Sequence, residues 1–123
     1  MKFDASVPIY LQIKEEIENA IITNSLKEDE AIPSIRTLAQ QYRLNPQTVS
    51  NAVSELMNEG VIFKKRGIGM FVEKGAQTKL KQKKSLEFHN DVLIRLVQKS
   101  KSLGISRQEL IETISSLYKE GGK

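Results

Sequence analysis

The side chains best placed to do chemistry in this chain are amides, hydroxyls and a short run of cations. Gln47, Thr48, Ser50, Asn51 and Ser54 are small or medium, polar and uncharged, and they share one side of a segment. Its other side is apolar, through Val49, Ala52, Val53, Leu56 and Met57. Amides four residues apart on one helical face, as Gln47 and Asn51 are, can each pair bidentately with an adenine edge, and the Thr48 methyl suits thymine. Further along stands Lys64-Lys65-Arg66-Gly67, a basic turn of the kind that meets phosphate. Upstream, Ser34 and Arg36 add a hydroxyl and a guanidinium.

These groups need elements to hold them, and the local signals supply them. Ser34 suits the cap of a short helix carrying Ile35, Leu38 and Ala39 at i, i+3, i+4 spacing. That helix is expected to fade at Arg43-Leu44, and Asn45-Pro46 restarts the chain. Asn is a favoured cap, and Pro fits a first helical position because the N–H it lacks would have had no partner. Gly60 closes the second helix. Val61-Ile62-Phe63 and Ile68-Gly69-Met70-Phe71-Val72 then read as a small β-hairpin, with Gly67 and Gly69 supplying positive φ and room for close approach. Phe63, Phe71 and Ile62 or Val72 are expected to pack on the helices while the basic turn projects. Ahead of these lies a helix from about Pro8 to Thr23, with an Ile9, Ile13, Ile17, Ala20, Ile21 stripe opposite acids and amides. Tyr10 is expected to pack within the fold. Ala31-Ile32-Pro33 reads as a short extended piece, since a residue before proline avoids helical angles.

Several of these stretches form an ordered set: PIY (Pro8 to Tyr10), IPSIRTLA (Ile32 to Ala39), NPQTVSNAVSEL (Asn45 to Leu56), EGVI (Glu59 to Ile62) and RGIGMFV (Arg66 to Val72). In that order they resemble the GntR family of bacterial transcription regulators. The PIY opening, the asparagine–proline turn and the short length are similar to its YtrA subfamily. The resemblance spans residues 7 to 75 and is weaker beyond. It implies a mainly α fold with a small β-hairpin, a winged helix-turn-helix, and a sequence-specific DNA-binding regulator whose default action is repression. Ser34, Arg36, Gln47, Thr48, Ser50, Asn51, Lys64, Lys65, Arg66 and Gly67 are its candidate DNA contacts. For Arg36 the competing reading is an ion pair with Glu15 or Asp29. Many relatives carry an arginine just after the turn and another one helical turn later; here those places hold Pro46 and Ser50 or Asn51. The arginine–guanine contact is therefore unavailable from this helix, and A/T-containing half-sites are expected, with Arg66 still able to read a G·C pair.

Composition sets limits. The 123 residues include no cysteine and one histidine, His89. That removes disulfides and thiolate metal sites, and no nucleophile–base pair is assembled from one histidine and no cysteine, so no enzyme, metal or cofactor is expected. No apolar run reaches a membrane span, and the start lacks a signal-peptide layout, so a cytoplasmic protein is expected. The net charge of +4 is unevenly spread. Residues 1–75 hold nine Lys/Arg against ten Asp/Glu, and residues 76–123 hold ten against five. Placement of cations matters more than their total, because counterion release depends on charges that meet phosphate. The acidic balance of the first part also fits an alternative, a winged-helix protein-interaction module without an operator of its own.

Two domains are expected, a DNA-binding part at 1–75 and a helical appendage at 76–123. The run from Gln77 to Lys84 is basic and reads equally as an extension along DNA or the solvated start of a helix. From Ser85 to Leu103 a helical stripe follows: Leu86, His89, Val92, Leu93, Leu96, Val97 and Ser100. Gly104 breaks it, and Ser106-Arg107-Gln108-Glu109 is a capping-box pattern opening a last helix with Leu110, Ile111, Ile114, Leu117 and Tyr118. Such a pair is expected to form an antiparallel hairpin with both stripes half exposed, so a homodimer is the economical solution. Leu86, Val92, Leu93, Leu96, Val97, Leu110, Ile114 and Leu117 are the candidate dimer contacts. An unknown small-molecule effector would need a pocket between this hairpin and the winged part or at the dimer interface.

Overall fold

The computed structural model describes residues 5–121. The chain forms two compact units that divide after Gln82. In the first, α1 (Ile9–Ile22) starts after Pro8 and buries Ile13, Ile17 and Ile21; Ile9 stays exposed. Next come β1 (Ala31–Ile32), α2 (Ile35–Tyr42), α3 (Pro46–Asn58), β2 (Ile62–Lys65), β3 (Gly69–Val72) and the start of α4 (Ala76–Glu87), whose residues from Lys83 on belong to the second unit. The apolar stripe of α3 faces inward as its spacing requires, with Val49, Ala52, Val53 and Leu56 all buried. The core gathers these with residues of α1 and α2, with Ile32, Val61, Ile62, Met70 and Val72, and with Ala76 and Leu80. Tyr10 packs against that cluster.

The sheet has three strands rather than the two of a bare hairpin. Its order is β1-β3-β2, antiparallel throughout, with Ala31 opposite Phe71 and Phe63 also opposite Phe71. The extended piece before Pro33 thus closes the free edge of β3. Parity along the strands corrects one expectation. Ile62, Met70 and Val72 face the core, while Phe63 and Phe71 stack on each other on the outer face, ring centroids 5.6 Å apart. Side chains alternate across a strand, so when Ile62 and Val72 turn inward their neighbours must turn outward.

The second unit comprises a π-helical segment (Phe88–Leu93), α5 (Ile94–Ser102) and α6 (Arg107–Glu120). The helix expected to start at Ser85 is already helical from Ala76, so the basic run is itself part of a helix. Within Phe88–Leu93 the ladder widens to i→i+5 bonding. Ser106 Oγ accepts the Glu109 N–H at 3.1 Å and caps α6, as its motif predicts. The pair leaves both stripes open, as the sequence pattern leads one to expect. Ser100 is buried and Ile105 and Leu110 are partly covered at the elbow. Away from it Leu96, Val97, Ile111, Ile114, Leu117 and Tyr118 are exposed, so neither helix covers the other's stripe.

Candidate nucleic-acid interface

Two caps and one left-handed residue set the angle between α2 and α3. Ser34 Oγ accepts the Thr37 N–H at 3.1 Å, and Asn45 Oδ1 accepts the Gln47 N–H at 2.8 Å, with Pro46 opening α3. Between the helices Arg43 adopts φ 56°, letting the Leu44 N–H reach the Ala39 carbonyl at 2.9 Å. A non-glycine residue in this conformation costs about 1–2 kcal/mol, offset by the turn it makes. At the other end of α3, Gly60 takes φ +75° and turns the chain into β2.

The polar face of α3 comes out as the sequence predicts. Gln47, Asn51 and Ser54 are exposed, and Thr48 and Ser50 are partly exposed. Gln47 and Asn51 are not two independent readers, however. The Gln47 Nε2 donates to Asn51 Oδ1 at 3.0 Å, so the amides are joined before any ligand arrives. The joined pair keeps both Asn51 Nδ2 hydrogens and the Gln47 carbonyl, a donor–acceptor set that still complements adenine. Ser34 is likewise partly engaged. Its hydroxyl donates to Thr37 Oγ1 at 3.0 Å, which leaves the Thr37 hydroxyl proton as the one available to an acceptor. Thr37 is exposed and is a polar group the sequence reading passed over. Arg36 is exposed and makes no ion pair among the described residues, so the pairing with Glu15 or Asp29 does not form.

The basic turn does not act as one cluster. Lys64, Lys65, Arg66, Gly67 and Ile68 are all exposed, and the Ile68 N–H closes the turn on the Lys65 carbonyl at 3.0 Å. Gly67 takes φ +76°, a conformation that favours glycine there. Strand alternation then sends the two lysines to opposite faces. Lys65 Nζ lies 5.1 Å from the Phe71 ring centre and 5.8 Å from that of Phe63, a cation held over the outer aromatic pair. Lys64 instead lines a groove of about 480 Å³ shared by Ser34, Ser50, Ser54 and Ile68. Ile32, Val53 and Met70 give this groove an apolar floor. The start of α2, the outward face of α3 and the wing thus border one channel with hydroxyls and a cation at its rim.

The opposite end of α3 is held by lysines. Lys14 of α1 lies 2.5 Å from Glu59 Oε2 and 3.6 Å from Glu55 Oε2. Burial alone would lower the Lys14 pKa; the Glu59 hydrogen bond and the nearby carboxylates outweigh it and raise the pKa above the ordinary lysine value. Lys79 of α4 donates to the Glu59 carbonyl at 2.5 Å. Neither link was legible beforehand, because each joins residues far apart in the chain. His89, in the π-helical segment, is exposed with Nδ1 2.9 Å from the Ser85 carbonyl. Among the described residues no group of His, Cys, Asp or Glu could hold a metal ion, and no helix is long and apolar enough to cross a membrane.

A capped helix pair, a glycine-tipped wing and a polar channel between them define a winged helix-turn-helix regulator of transcription that binds DNA. The family model of bacterial regulatory proteins of the gntR family matches residues 9–72, and the chain belongs to that family. It is 34% identical over 123 residues to the HTH-type transcriptional regulator YhcF of Bacillus subtilis, covering 98% of each chain. It is 32% identical over 121 residues to the HTH-type transcriptional repressor YtrA of the same organism, covering 97% of this chain and 92% of that one. Its fold is similar to that of a GntR family transcriptional regulator from Listeria monocytogenes, with TM-score 0.76, 27% identity and coverage of 93% and 98%.

Proposed function

We propose that this protein is a repressor in the cytoplasm that binds an inverted-repeat operator as a homodimer. The observation that carries the reading is the shared channel, where Ser34 of the α2 cap, Ser50 and Ser54 of α3 and Lys64 of the wing face the same space. In this reading α3 enters the major groove and the joined Gln47–Asn51 amides meet an A·T pair, with Thr48 and Ser50 beside them. Arg36, Lys64, Arg66 and the Gly67 backbone take phosphates or the minor groove, and Lys65 reaches DNA by leaving the aromatic pair. Residues 1–75 carry these contacts and residues 76–123 carry dimerisation.

Support for the dimer comes from the second unit, which leaves Leu86, Val92, Leu96, Val97, Ile114 and Leu117 exposed. A two-fold pair would set two reading helices about 34–36 Å apart, one helical turn of DNA. An effector would work by changing that spacing or angle, which requires unequal affinity for two arrangements. The likeness to a repressor of nearly the same length supports the repressing role. The test is selection of bound fragments from a random DNA pool at moderate salt. Enrichment of an inverted repeat with A·T pairs in each half is the expected result. Strictly G·C half-sites would remove the Gln47–Asn51 assignment, and no enrichment would point to a winged helix that grips protein.

A further inference from the structure

Two carboxylates stand at the C-terminal end of α3, Glu55 and Glu59, where the helix dipole is already negative. Left alone they would weaken that end, although its last turn is closed by the Val61 N–H on the Leu56 carbonyl and the Gly60 N–H on the Met57 carbonyl. Cations from two other helices meet them. Lys14, with its side chain only 13% exposed, bridges both carboxylates from α1. Lys79 reaches the Glu59 main-chain oxygen from α4. Gly60 leaves room for it, since a Cβ there would sit 3.3 Å from Lys79 Nζ. The origin of Lys79 is itself fixed. Ala76 and Leu80 are buried in the core, and the Gln77 side-chain amide donates to the Ile22 carbonyl at 2.9 Å.

We propose that Lys14 and Lys79 are positioning residues that set the angle of α3, and so the sequence preference of the protein, without touching DNA. This rests on α3 being the reading helix. Asn51 lies eight residues before Glu59, about 12 Å at 1.5 Å per residue. A tilt of about 5° pivoting at the clamped end therefore displaces the Asn51 amide by about 1 Å, beyond the tolerance of about 0.5 Å of a recognition geometry. The core stripe of α3 resists translation, but Val49 to Leu56 is a smooth aliphatic face with no directional bond. The polar links at its end supply the direction. In this account Lys79 leaves the set of phosphate-binding cations even though it sits in the basic run.

The test uses the full chain with Lys14→Met, Lys79→Met and Glu59→Gln, each keeping the side-chain stem. Affinity for a fragment chosen by pool selection and for a random fragment is measured between 50 and 200 mM salt. Expected for each variant is a loss of about tenfold on the selected fragment, the size of one weakened base contact. Random-fragment affinity and the salt slope stay unchanged, and Lys79→Arg restores the preference. Equal losses on both fragments with a shallower slope would make Lys79 a phosphate contact and overturn the proposal. A lower melting temperature with the preference intact would overturn it too, leaving a purely structural link. If the unsubstituted protein selects no fragment, the assignment of α3 fails and takes the positioning role with it. A selected fragment with an unchanged preference ratio in all three variants removes the positioning role alone.

Discussion

The winged unit and the C-terminal helices solve the same problem in opposite ways. In the first, sixteen apolar residues among those described are buried in one cluster drawn from helices and strands. In the second, Leu96, Val97, Ile111, Ile114, Leu117 and Tyr118 lie on amphipathic helices that leave their stripes open, and among the described residues the buried one is the small polar Ser100. The winged unit has its hydrophobic driving force inside its own chain. The C-terminal unit has the same kind of residues and leaves them open, and the proposed homodimer is what would bury them. Both units carry amphipathic helices; the winged unit also has a sheet and a shared core for its stripes to pack on.

Breaking that contrast is most direct from the open side. Leu96→Glu combined with Ile114→Glu is expected to give a monomer by sedimentation equilibrium. It is also expected to lower affinity for a two-half-site fragment by about a hundredfold or more, as avidity is lost. Melting of the winged unit stays where it was. A dimer that persists would place the interface elsewhere. From the closed side, Leu56→Ala removes a fully buried side chain of α3 and is expected to cost about 2–5 kcal/mol of unfolding free energy. Denaturant titration checks this, and a cost near zero would mean the core relaxes around the gap. The smallest effect sharpens the comparison instead of breaking it. Asn45→Ala removes the α3 cap and is expected to cost about 1 kcal/mol. It should leave the monomer–dimer balance alone, because the cap lies in the winged unit.

Much of the fold was legible because its signals are local. Ser34, Asn45-Pro46, Gly60 and Ser106 each act within a few residues, and each sits at the helix end that its chemistry favours. The sheet was less legible. Ile62 and Phe63 are both apolar, so pattern alone does not say which faces inward; the antiparallel register with β3 decides it. Register likewise splits Lys64 from Lys65, so two adjacent cations of one run face opposite ways. The polar face of α3 was readable as a face, whereas the bond joining Gln47 to Asn51 depends on rotamers. Lys14 and Lys79 were the least legible. A lysine on a helix surface is ordinary in sequence, and its partner here is supplied by another helix across the fold. Lys79 hid further inside a basic run, where every neighbour invited the same explanation.

The π-helical turn at Phe88–Leu93 carries one residue more than an α-helical ladder would use over the same rise. That surplus makes it a place where the gene can lose a codon cheaply. A one-residue deletion there is taken up by the ladder tightening to α, and the helical stretches on either side keep their phase. The same deletion within α3 would turn every later side chain by about 100°, carrying Leu56 out of the core and a polar residue into it. Length variation among relatives is therefore expected to be tolerated inside this π-helical segment and forbidden in α3.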